Sequence, residues 1–186
     1  LFTGRREKMS ADCREMARRF GALGGRTDDF DGADQGQAAA LTAADLVIDA
    51  VFGVGLSRPV EGVSTQAVAA MNAADGVVVS ADIPTGIHSD TGAVMGCAVN
   101  ADKTITFTAA KPGHFLGKGP LYCGELRVAD IGIPEDLAAE EKATAVTVDS
   151  SWVRQHLPAR PADGHKGIFG RVYILAGSRQ YTGAPL

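Results

Sequence analysis

The chain has 186 residues, enough for one domain with a sizeable core and part of a second. Its net charge of −4 gives no reason to expect binding to nucleic acid or to a membrane, and no apolar run approaches the roughly 18 residues that span a bilayer. Three widely spaced cysteines favour free thiols in a reducing compartment, and we expect a cytoplasmic protein.

The first predicted element is an amphipathic helix that begins after Ser10 and ends at the glycine pair 24–25. Its apolar residues follow the i, i+3, i+4, i+7 spacing of one helix face: Cys13, Met16, Ala17, Phe20 and Leu23. Basic residues on the other face are offset by aspartates at 28–34, which indicates a solvated surface.

A strand–helix–strand unit follows the first helix. Residues 45–51 and 76–82 are short apolar runs typical of buried parallel strands, and the intervening residues 63–74 are predicted to be helical. Such a unit implies a parallel sheet with a right-handed crossover. Further strands are predicted at 103–108 and 124–130.

The last part of the chain has a different composition. Residues 157–165 contain two prolines and several polar residues, as a domain linker would, and an apolar strand is predicted from Val172 to Ala176. We therefore predict one domain over residues 1–157, and a linker with the start of a second domain over 158–186.

Two acids stand at or near the carboxyl ends of consecutive predicted strands. Asp49 and Asp82 could face one crevice, because ligands of open α/β sheets bind beyond that end of the strands. Pro84 and Gly86 shape the turn after Asp82, and Thr85 would present a hydroxyl and a carbonyl oxygen there. The alternative is that each acid only caps a turn or a helix.

The loop after Asp49 is suited to binding an anion. It precedes a predicted helix, so that its backbone amides and the helix dipole favour negative charge, and Arg58 could add a phosphate contact. Its G-x-G pattern is neither a complete dinucleotide fingerprint nor a Walker loop. Lys111 could reach a phosphate or be solvated, and His88 and His114 are interpreted as surface histidines.

Four segments together resemble the NAD(P)H-hydrate epimerase family, known as the YjeF N-terminal domain. They read DAVFGVGLSRPVEG (49–62), VSADIPTGIHSDTG (79–92), ADKTITFTAAKPG (101–113) and GELRVADIGIP (124–134). The tail HKGIFGRVYILAGSRQYTGAP (165–185) resembles the opening of the ADP- or ATP-dependent NAD(P)H-hydrate dehydratase domain. The order of the two signatures is that of the bifunctional repair enzymes.

The resemblance implies a Rossmann-like three-layer α/β/α sandwich with a mainly parallel sheet, followed by the first strand of a ribokinase-like domain. The implied substrate is NAD(P)H hydrate, a nicotinamide cofactor hydrated at C6, whose R and S forms the enzyme interconverts. By position, Asp49 and Thr85 would hold a potassium ion, and Asp82 would contact substrate and handle the proton. The remaining implied substrate contacts are Gly53, Val54, Gly55, Leu56, Ser57, Arg58, Pro59 and, in the tail, Ala184.

An acid suits this chemistry. C6 of the hydrate carries a hydroxyl and the ring nitrogen, so inversion requires reversible C–O or C–N cleavage and a proton delivered and retrieved. A non-catalytic scaffold of the same fold has no need for two acids at strand ends. An ordinary NAD-dependent oxidoreductase would be expected to show the full dinucleotide fingerprint.

The chain departs from the family at its start. The first strand and a loop of the form GNNGGDG are absent, and the dehydratase nucleotide site for ADP or ATP is also absent. We therefore expect the chain to be an N-terminally incomplete piece of a bifunctional enzyme, inactive by itself in both reactions. A homo-oligomer is compatible with the resemblance.

Overall fold

The computed structural model describes residues 1, 3–4, 6–134, 137, 145–158, 161–165, 167–178 and 183. The chain forms two compact units, Leu1–Ala143 and Thr144–Leu186. The boundary between functional domains at 157/158 stays a prediction, and the predicted substrate contact Ala184 lies outside the described residues.

The first unit is built on a parallel sheet of four strands in the order β1-β2-β3-β4. All four strands lie within the predicted segments and all neighbouring pairs are parallel, which confirms the α/β class. The strands are β1 (Leu46–Asp49), β2 (Val77–Ala81), β3 (Lys103–Phe107) and β4 (Glu125–Ala129).

The helices of this unit are α1 (Ala11–Ala22), α2 (Gln35–Thr42), α3 (Val63–Asn72) and α4 (Gly119–Tyr122), with short 3-10 helices at Arg6–Lys8 and Pro112–His114. The predictions of α1 and α3 are confirmed, and the Ser10 hydroxyl caps α1 by accepting from the backbone N–H of Cys13. Helix α2 was missed because its sequence, QGQAAALT, has no distinct apolar face.

One face of the sheet carries the core. Val47 of β1 and Val78 of β2 pack there with Val68 and Met71 of α3 and with the buried Phe30. The β1 and β2 strands are thus buried on one face only, whereas the prediction had both faces buried.

The other face of the sheet is open in the described part of the chain. Ile48 is 65% exposed, and Leu46, Ile105 and Phe107 are also exposed. The third layer of the predicted sandwich is therefore not seen among the described residues. Helix α1 has no buried residue, so its apolar face is also uncovered.

The second unit contains helix α5 (Ser150–His156), capped by the carboxylate of Asp149. Residues 171–177 form no strand and Val172 to Leu175 are exposed, so the strand predicted from Val172 to Ala176 is not confirmed. A strand needs a hydrogen-bonding neighbour, and the described residues of this unit supply none.

In the described part of the chain, no helix is long and apolar enough to cross a membrane.

We expect Gly86→Ala to destabilise the first unit by at least about 2 kcal/mol. Gly86 has a φ of +93°, and a Cβ there would lie 1.9 Å from the carbonyl oxygen of Cys97. Gly55→Ala is the matched control, because a Cβ at Gly55 meets nothing within 4 Å and its φ is not positive. Urea unfolding measures both variants, and equal stability for the two would contradict the expectation.

Candidate active site

Asp49 ends β1 and is buried, with 1% of its surface exposed. Its Oδ2 accepts hydrogen bonds from the Ser80 hydroxyl and the Thr85 backbone N–H, each at 2.8 Å. Its Oδ1 accepts from the Thr85 hydroxyl at 2.6 Å and, more weakly, from the Val51 N–H at 3.4 Å. The carboxylate therefore joins β1, β2 and the turn that follows β2.

Thr85 is itself fully buried and satisfied. Its hydroxyl accepts from the Phe52 N–H at 2.9 Å, and its carbonyl accepts from the Val99 N–H at 2.9 Å. The turn around it closes through a bond from the Ile87 N–H to the Pro84 carbonyl. Thr85 thus ties this turn to the start of the loop after β1.

In the arrangement observed, protein donors occupy the carboxylate of Asp49, so that a potassium ion there would have to displace one of them. A carboxylate offers about four lone-pair sites, and those of Asp49 are taken by the donors from Ser80, Thr85 and Val51. Among the described residues, no group of three or more His, Cys, Asp or Glu side chains could hold a metal. The potassium site at Asp49 and Thr85 stays a prediction.

Asp82 follows β2 and differs from Asp49 in reaching solvent, with 17% of its side chain exposed. Its backbone is left-handed, with a φ of +69°, and its N–H donates to the Ile105 carbonyl at 2.8 Å. Its Oδ1 accepts from the Lys111 ammonium at 2.5 Å and the Thr106 hydroxyl at 3.0 Å, with the Phe107 N–H at 3.5 Å.

Lys111 is neither solvated nor extended toward a phosphate. Its ammonium donates to Asp82 Oδ1, to the Thr106 hydroxyl at 2.8 Å and to the Phe107 carbonyl at 3.0 Å, which uses its three protons. Burial raises the pKa of Asp82, but the bonds from Lys111 and Thr106 and the lysine charge outweigh it, so that the pKa lies below its ordinary value. Asp82 is accordingly ionised at neutral pH.

His114 is buried beside this pair, with 2% of its surface exposed, so the prediction of a surface histidine is wrong. Its Nδ1 accepts from the Lys111 backbone N–H at 3.0 Å, which leaves the proton on Nε2 to be donated to the Asp82 carbonyl at 2.9 Å. Burial lowers the pKa of His114, in agreement with a neutral ring. His88 is only half-buried, and its Nδ1 accepts from the Asp90 N–H.

The predicted phosphate loop begins next to Asp82. A Cβ built on Gly53 would lie 3.6 Å from Asp82 Oδ2, and neither Gly53 nor Gly55 has a positive φ. Leu56 is buried and anchors the loop in the core. The exposed members of the loop are Val54, Gly55, Ser57, Arg58 and Pro59.

The two acids lie on the same side of the sheet, as expected, but only Asp82 is accessible. Ser80, which bonds Asp49, pairs with Thr104 on β3, and Thr106, which bonds Asp82, lies two residues further along the same buried face. Ser80 and Thr106 were not predicted as site residues. The available signal was a polar residue at alternate positions of otherwise apolar strands.

Comparison with known proteins agrees with the motifs. A family model described as YjeF-related protein N-terminus matches residues 1–113. The bifunctional NAD(P)H-hydrate repair enzyme Nnr of Thermofilum pendens is 44% identical over 152 residues, which is 82% of this chain and 28% of that protein. The NAD(P)H-hydrate epimerase of Limosilactobacillus fermentum is 51% identical over 92 residues, 50% of this chain and 44% of that protein.

The chain therefore spans less than half the length of these curated relatives. The crystal structure of yeast ynu0, YNL200c, superposes with a TM-score of 0.58 at 18% identity, over 77% of this chain and 62% of that one. At that identity the likeness supports the fold alone.

We expect Thr85→Val to destabilise the protein by roughly 2–6 kcal/mol, because Asp49 Oδ1 and the Phe52 N–H both lose the hydroxyl as a hydrogen-bond partner, at about 1–3 kcal/mol each. Thr85→Ser keeps the hydroxyl and should lose far less. Denaturant unfolding of the two variants measures the difference. Similar losses in both would show that the hydroxyl does not hold this junction.

Proposed function

Because this chain belongs to the family of YjeF-related protein N-termini, we propose that it carries the site at which the R and S forms of NAD(P)H hydrate are interconverted. The proposed activity is that of an NAD(P)H-hydrate epimerase, an isomerase that repairs nicotinamide nucleotides. The names of relatives that match 82% and 50% of the chain support this assignment.

The observation that carries the proposal is the accessible, ionised carboxylate of Asp82 beside Gly53. Inversion at C6 proceeds by reversible cleavage of the C–O or the C–N bond, and either route moves a proton to and from the substrate. A carboxylate whose second oxygen faces a glycine loop can exchange that proton at close range. Asp82 is therefore the proposed proton-handling residue.

The exposed loop from Gly53 to Pro59 is the proposed contact for the phosphates of the dinucleotide. Its amides precede helix α3, whose N-terminus favours negative charge, and the side chain of Arg58 is exposed. Asp49 and Thr85 support the loop through Phe52 and need no contact with substrate.

A wider role as a bifunctional enzyme is also a proposal. The Thermofilum pendens relative is named bifunctional, and we propose that the complete gene product also dehydrates the S form using ADP or ATP at a site outside this chain. The free thiols of Cys13, Cys97 and Cys123 support a reducing, cytoplasmic setting.

A non-catalytic scaffold is less well supported. Asp49 does not distinguish an enzyme from a scaffold, because its hydrogen bonds give it a structural role in both. Asp82 also makes structural contacts through Oδ1, with Lys111 and Thr106, but its partly exposed Oδ2 beside Gly53 is not used by them. The enzyme assignment therefore depends on Asp82.

We expect Asp82→Asn in the complete gene product to slow R/S interconversion by about 100-fold or more, because the amide cannot exchange the proton. Asp90→Asn, which removes an exposed carboxylate from the loop after β2, is the matched control and should leave the rate unchanged. The two epimers can be followed by proton NMR, with circular dichroism confirming that both variants fold. Unchanged interconversion in folded Asp82→Asn would exclude this role.

A further inference from the structure

We infer that Lys111 is a positioning residue that makes the two oxygens of Asp82 unequal: Oδ1 is held, and Oδ2 is the oxygen that meets the substrate. The identity of the substrate rests on the proposed function. The difference between the two oxygens rests on the contacts of the described residues.

The held oxygen is defined by three donors. Lys111, Thr106 and the backbone of Phe107 all approach Oδ1, and the Lys111 and Thr106 groups also bond each other. A carboxylate oxygen with a charged donor and a hydroxyl on it is fixed in orientation and in ionisation state. These contacts therefore fix the plane of the carboxylate.

The other oxygen, Oδ2, which we call the working oxygen, has different neighbours. Within the described part of the chain, no hydrogen bond to Asp82 Oδ2 is found, and its neighbour there is Gly53 at the start of the exposed loop. A glycine leaves space beside the oxygen that any side chain would narrow. Oδ2 is therefore the oxygen that a substrate in this loop can reach.

The backbone around the pair is held from both sides. The neutral His114 ring joins the backbone N–H of Lys111 to the carbonyl of Asp82, and the Asp82 N–H is fixed on Ile105 of β3. Asp82 stays in a left-handed conformation that non-glycine residues seldom adopt. Lys111 and His114 are the titratable groups that the described contacts bring to Asp82, and only Lys111 is charged.

Lys111→Met tests the inference, with Lys118→Met as the matched control because Lys118 is exposed and lies in the same loop. The pKa of Asp82 is measured by carbon-13 NMR of its carboxyl group, without reference to activity. We expect Lys111→Met to raise this pKa, since the opposite charge and its hydrogen bond are lost. The control should leave it unchanged.

The kinetic readout uses the complete gene product across the pH range. Lys111→Met should lower kcat for interconversion by about tenfold or more, because the carboxylate loses its fixed orientation, with little change in KM. The raised pKa of Asp82 should also move the acid limb of the pH profile upward. Lys111→Arg keeps the charge and should retain the position of the acid limb. An unmoved Asp82 pKa, or an unmoved acid limb, overturns the inference.

Gly53→Ala tests the working oxygen separately and does not depend on how Lys111→Met folds. The added methyl lies beside Oδ2, so kcat should fall while the Asp82 pKa stays near its wild-type value; Gly21→Ala, in open space on α1, is the control. Unchanged kcat in Gly53→Ala overturns the assignment of Oδ2. The wild-type protein could show no interconversion while the pKa of Asp82 still depends on Lys111. That result would refute the proposed function and leave the pairing of Asp82 with Lys111 intact.

Discussion

The buried carboxylate of Asp49 is the constraint on which the rest of the site depends. It accepts from Ser80 on one side and from Thr85 on the other, and Asp82 lies between these two residues in the chain. The short segment that carries Asp82 is therefore fixed at both ends by a single side chain. A polar group in the interior is tolerated there because both of its oxygens accept hydrogen bonds.

Two acids at equivalent places in the sheet thus have different physical roles. Asp49 is surrounded by neutral donors and sealed from solvent, so its charge supports structure. Asp82 faces an ammonium on one oxygen and open space on the other, so its charge is available to a ligand. The two acids differ because Asp49, at the end of β1, bonds Thr85, whereas Asp82, after β2, bonds Lys111.

Much of this arrangement could be predicted from residue patterns. The apolar runs located β1 and β2, the further strands predicted at 103–108 and 124–130 contain β3 and β4, and the rule that ligands bind at the carboxyl ends of parallel strands brought Asp49, Asp82 and Gly53 to one region. The roles of Lys111 and His114 could not be predicted, because they depend on how the loop after β3 turns back over β2. The separation of Lys111 and His114 from Asp82 along the chain does not indicate that they lie beside it in space.

The left-handed backbone at Asp82 limits which residues evolution can place there. Aspartate, asparagine and glycine adopt this conformation with least strain, whereas glutamate would keep the charge at the cost of a disfavoured φ. The exchange of one acid for the other, conservative by chemistry, is therefore a radical change at this position. Homologues that lose the carboxylate but keep the fold should therefore have asparagine or glycine at the position of Asp82. Either residue there would mark a lost activity.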